Sequence, residues 1–244
     1  MLGCVVSMVA GVGLYGSVYL LPLFMGEVRG FTTIQIGQTM IVTGIAMFFT
    51  APVVGKLQGK VDLRLLLVLG VSMTALGMWF NAQLTGESGP WELALPQMLR
   101  GSGLMMCMIP MTGLALGTLS PDRVQNASGL FNLTRNLGGA LGLALINTLL
   151  DQGRDLHRTE LATAVSAGHA DTQAWLDQMA GTMAAQGVAD PATAALAQLA
   201  RMVEREALVM TFNNVFLTMS IAFAALLPLL LLTRPAKAAA GPAH

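Results

Sequence analysis

Charged side chains are scarce in this 244-residue sequence, at 11% of the total, against about a quarter in an ordinary soluble domain. The formal net charge is zero, and the few Lys and Arg stand singly between apolar blocks. That leaves no basic face, so nucleic acid is not expected as a partner. Only three histidines occur, His157, His169 and His244, and no Asp or Glu lies in the interior of any long apolar run. No triad or ligand cluster can be drawn from what remains, so neither an enzyme, a catalytic residue, a metal nor a cofactor is expected. Cys4 and Cys107 both sit in apolar runs without C-x-x-C spacing, which suits small core residues better than a disulfide. The first 26 residues carry no charge at all and lack the basic start of a secretory signal. A fragment or truncated reading of a longer protein is the simplest expectation for such an opening.

What the sequence has in quantity is apolar length: 54% hydrophobic residues and a mean hydropathy of +0.65. Since about 20 mostly apolar residues cross a bilayer, spans are predicted near 1–25, 33–55, 64–84, 92–118, 125–150 and 207–233. The expected fold class is therefore an all-α integral membrane protein of six transmembrane helices. Stretches such as Leu65 to Leu69 and Leu226 to Leu232 are apolar all round, unlike the one-sided stripe of a soluble helix. Pro22, Pro52, Pro96, Pro110 and Pro228 fall inside the runs, as bent membrane helices tolerate.

Orientation follows from Lys and Arg in the short loops. With the N-terminus inside, inner segments hold Lys56, Lys60, Arg64, Arg123, Arg234 and Lys237, while the short outer loops hold only Arg29. Both termini are thus expected in the cytoplasm, with a tail at 234–244. The long connection 151–206, with four Arg and eight acids, then faces outward. It shows helical pattern in Leu156 to Val165 and Thr172 to Met183, read as short amphipathic helices on the outer face, and Asp190-Pro191 reads as a helix start.

An ionisable group inside the bilayer costs about 2.5–3.5 kcal/mol even on the translocon scale. Arg100 and Arg135 both lie roughly 13–15 Å deep at 1.5 Å per residue. Either they face a cavity or relay, or they bond backbone carbonyls of a neighbouring helix. Asn132, Arg135 and Asn136 share one face of the fifth span, the strongest cavity signal in the chain. Gly113-x-x-x-Gly117, Gly138-x-x-x-Gly142 and Gly101-Ser102-Gly103 allow close helix approach and suit static packing. Met105, Met106, Met108 and Met111 beside Pro110 fit either an ordinary core or an adaptable site.

Four stretches carry a family resemblance: Gly30 to Gly37 (GFTTIQIG), Leu95 to Gly101 (LPQMLRG), Leu119 to Arg123 (LSPDR) and Asn126 to Gly139 (NASGLFNLTRNLGG). They resemble the fourteen-helix drug/proton antiporters of the major facilitator superfamily, EmrB/QacA type, and the six spans correspond to the last six, the C-terminal half. The loop Gly55 to Arg64 is similar to the superfamily's G-x-L-A-D-R-x-G-R-R loop, with Gly59 where the family has an acid. This makes Gly55, Lys60, Asp62 and Arg64 gating-loop candidates. The resemblance implies proton-coupled multidrug efflux of small lipophilic molecules across the inner (plasma) membrane by alternating access. The first, second, fourth and fifth spans would line the path, with Tyr15, Tyr19, Arg100, Met108, Asn132, Arg135 and Asn136 as cavity candidates. Implied partners are the lipid bilayer, a small-molecule substrate, protons, the N-terminal half of the same transporter, and a periplasmic adaptor protein with an outer-membrane channel. An exporter of another small metabolite and an inactive remnant stand as alternatives.

Overall fold

The computed structural model describes residues 2–58, 60–116 and 121–232. Gly59, Gly117, Leu119, Ser120, and the tail with Arg234, Lys237 and His244 lie outside the described residues. Seven helices follow one another there: α1 (Leu2–Glu27), α2 (Thr33–Leu57), α3 (Leu63–Asn81), α4 (Pro90–Leu116), α5 (Pro121–Ala167), α6 (His169–Ala185) and α7 (Pro191–Leu232). Among the described residues, α2, α3 and the Pro191–Pro228 stretch of α7 are long and apolar enough to cross a membrane. All five interior prolines stand inside helices, as the sequence predicts.

Local chemistry sets the helix ends. Gly30 adopts φ +64°, and Phe31 N–H returns to the Met25 carbonyl at 3.0 Å, closing α1 with the left-handed stop that glycine makes cheap. Thr32 and Gln35 then form a reciprocal capping box that starts α2. Asp62 caps α3 by accepting from Arg64 N–H at 3.0 Å.

The core lies where α1, α3 and α7 meet. Leu20, Leu21, Phe24, Met78, Phe212 and Phe216 are buried there, and the Phe24 and Phe212 rings meet edge to face at 5.6 Å. Glycines bring backbones together elsewhere. A Cβ on Gly11 of α1 would stand 2.0 Å from the Arg135 carbonyl oxygen, and one on Gly138 of α5 would stand 2.0 Å from that of Met8. Gly70 of α3 and Gly103 of α4 are reciprocal in the same way, at 2.8 and 2.7 Å from each other's carbonyl oxygen. The Gly138-x-x-x-Gly142 and Gly101-Ser102-Gly103 spacings therefore seat helix on helix, and Cys107 is buried beside Gly70.

Of the two short helices expected in 151–206, Thr172 to Met183 lies in the separate helix α6, whereas Leu156 to Val165 does not stand apart. α5 runs on unbroken to Ala167, for 47 residues and about 70 Å. α7 begins at Pro191, with Asp190 accepting from Thr193 N–H at 3.2 Å. The two extensions are tied laterally. Arg154 and Arg158 both pair with Glu204 of α7, and the buried His157 bridges Glu160 and Asn214 at 3.1 and 2.8 Å. No proline interrupts 122–190, so nothing forces a break at the end of the apolar run.

Candidate functional site

The close seam between α1 and α5 places two tyrosines against the polar stripe. Tyr15 donates to Asn136 Oδ1 at 2.8 Å, and Tyr19, about one turn on, donates to Asn147 Oδ1 at 2.9 Å. Arg135 donates to Asn132 Oδ1 at 2.8 Å and reaches the Met108 sulfur at 3.9 Å. Its guanidinium lies 5.9 Å from the Phe131 ring centre. These side chains border a cleft of about 280 Å³ whose walls come from four helices: Tyr15 from α1, Met47 from α2, Leu104, Met105 and Met108 from α4, and Arg135 from α5. The lining is apolar and thioether-rich, with one fixed cation and one phenol.

Of the cavity candidates, Tyr15, Met108 and Arg135 thus share one cleft, with Asn132 and Asn136 holding the Arg135 and Tyr15 head groups. Tyr19 belongs to the same seam but bonds elsewhere. Arg100 is set apart from this group. It is fully buried, with Nη1 donating to the Ser17 carbonyl at 2.6 Å and Nη2 to Thr43 Oγ1 at 3.3 Å. Thr43 in turn donates to Gln97 Oε1 at 2.9 Å. Arg100 therefore ties α1, α2 and α4 together, and the geometry follows the backbone-carbonyl alternative.

The gating-loop residues sit at the α2–α3 connection. Gly55 lies in the last turns of α2 with open space beside it, Lys60 is exposed, and Asp62 is occupied as the cap of α3. Among the described residues, Lys60, Asp62 and Arg64 form no ion pair. Sequence reading missed Asn147, the partner of Tyr19. Its signal was a spacing of three helical turns from Asn136, which puts both on the face toward α1.

Residues 2–143, more than half the chain, match the profile of the Major Facilitator Superfamily. The chain belongs to the Major Facilitator Superfamily. It is similar to the colistin resistance protein EmrB of Acinetobacter baumannii, 36% identical over 220 residues, covering 90% of this chain and 43% of the relative. The multidrug export protein EmrB of Escherichia coli is 27% identical over 98% of this chain and 46% of its own length. For the fatty acid resistance protein FarB of Neisseria gonorrhoeae, the figures are 26%, 94% and 44%. The chain spans less than half the length of these curated relatives. Membership of this superfamily makes it a multi-pass membrane protein of a transporter family, and the apolar helices agree.

Proposed function

We propose that the chain forms the C-terminal half of a proton-coupled multidrug efflux transporter, with six spans, both termini cytoplasmic, and an N-terminal half as its partner. Small lipophilic molecules leave across the inner membrane as the two halves rock about the path between them. The observation that carries this reading is the cleft where α1, α2, α4 and α5 meet around Arg135. Methionines adapt their shape to varied apolar guests, and Arg135 with Tyr15 offers a small polar anchor for orientation. The relatives' names speak of resistance to or export of colistin, several drugs and fatty acids, which supports export of amphipathic compounds. Among the described residues no carboxylate borders the cleft, so in this reading the proton-carrying acid comes from the other half. An adaptor protein and an outer-membrane channel complete the route in this reading.

The test is efflux by a full-length transporter containing this chain. Arg135→Ala is expected to abolish or redirect efflux at near-normal membrane levels, and Arg135→Lys to restore it in part, since the planar fork is lost. Intact drug resistance in Arg135→Ala at equal expression would sink the cavity assignment.

A further inference from the structure

Arg29 is the exception to the charge asymmetry of the short loops, and in the fold it does not stand alone. Its Nη1 donates to the Gly86 carbonyl at 2.5 Å, and Nη2 of Arg205, on α7, donates to the same oxygen. The Arg205 guanidinium lies against Gly86, where a Cβ would meet its Nη2, Cζ and Nε at 3.1–3.2 Å. A carbonyl has two lone pairs and can accept from both. It is neutral, however, so two like charges meet at one atom and neither is compensated.

No acid makes good the deficit. Among the described residues no carboxylate lies within 4.0 Å of either guanidinium. Glu204, on the same helix as Arg205, is taken by Arg154 and Arg158. Arg29 Nε is buried and donates to nothing, while the Phe31 ring centre, 5.4 Å from Arg29 Cζ, walls one side. Like charges at this separation repel, more strongly where bulk water is thinned. A group with several anionic oxygens relieves that repulsion and also answers the spare donors, and the guanidinium fork matches phosphate geometry.

The level in the bundle is also informative. Arg29 follows the end of α1 at Glu27, Gly86 lies in the α3–α4 connection, and Arg205 comes just before the predicted sixth span. All three meet at one end of the helices, and with the sixth span starting near residue 207, as the hydropathy predicts, that end would lie where headgroups begin. The geometry points to a phosphate site in which Arg29 and Arg205, over the Gly86 carbonyl, hold the phosphate of an anionic phospholipid or a free phosphate ion.

The experiment places the full chain in nanodiscs of phosphatidylcholine, of phosphatidylcholine with phosphatidylglycerol, and of phosphatidylcholine with inorganic phosphate in the buffer. Native mass spectrometry counts retained lipid, and thermal unfolding reports the response to each anion. The wild type is expected to retain phosphatidylglycerol on the order of tenfold better than the Arg29→Gln/Arg205→Gln pair. Loss of retention in that pair assigns the site to lipid. A thermal shift with phosphate alone, absent in the pair, assigns it to the free ion. A Gln pair that matches the wild type in both readouts, or a wild type indifferent to both anions, overturns the site. Should the Gln pair fail to fold, the Lys pair keeps the charges without the fork: weakened retention supports the site, and wild-type retention overturns it.

Discussion

Gly138 and Met8 approach so closely that a single added carbon on Gly138 would stand 2.0 Å from the Met8 carbonyl oxygen. The approach is made between backbones, so no rotamer change can relieve it. The polar seam Tyr15–Asn136 and Tyr19–Asn147 depends on that spacing, and so does the cleft beside it.

Gly138→Val is therefore expected to force α1 and α5 apart at a cost of about 2 kcal/mol or more. The measure is the thermal unfolding midpoint together with folded yield in detergent. A midpoint within error of wild type would show that the seam is not tightly set.

Arg100→Ala removes a fully buried side chain and its bonds to Ser17 and Thr43, and is expected to cost about 2–4 kcal/mol. Arg100→Met keeps most of the volume and, since among the described residues Arg100 pairs with no carboxylate, should cost under about 1.5 kcal/mol. Thermal unfolding separates the two. A Met variant as unstable as the Ala variant would mean that the hydrogen bonds, and not the volume, hold the three helices.

Topology is open to direct labelling. Cysteines at Lys60 and Gly168 stand at connections separated by three helices, α3, α4 and α5, and the charge asymmetry predicts opposite faces of the membrane for them. A membrane-impermeant thiol reagent should reach each from a different side. Labelling of both from one side contradicts the six-span reading.

The exposed Asp190 carboxyl is held below its ordinary value of 3.8 by hydrogen bonds from the Thr193 side chain and backbone. A depressed carboxylate stabilises the fold above its unfolded value and loses that contribution as pH falls through the folded one. Amide exchange at the start of α7 should accordingly speed up below about pH 3.8, and Asp190→Asn should flatten that dependence. Identical pH profiles for the two proteins would remove the cap from the account.

Much of this fold could be read from hydropathy and punctuation. Apolar runs of membrane length lie within helices, and Gly30 before Thr32-Thr33 and Asp190-Pro191 each carry a local physical signal that stands at a helix end. The Arg135 stripe was legible because three polar residues share a face at helical spacing. Arg100 was less so: depth along a helix is visible in sequence, but the helix facing a side chain is set by tertiary packing. For the same reason nothing near His157 announced Asn214, far along the chain. The end of α5 escaped because hydropathy marks where lipid stops, whereas a helix stops only where its backbone does.

That last distinction has a mechanical side. α5 continues roughly 29 residues beyond Gly138 without a proline, to Ala167, so a tilt of the whole helix about the glycine seam would work on a lever about 44 Å long. A tilt of about 5° at the pivot sweeps its far tip through about 4 Å, geometry alone making the small motion large. Glu204, which pairs with Arg154 and Arg158, would couple α7 to the same tilt. A small shift near Arg135 would thus be amplified into displacement at a distance, without any change in the bonding of the helix that carries it.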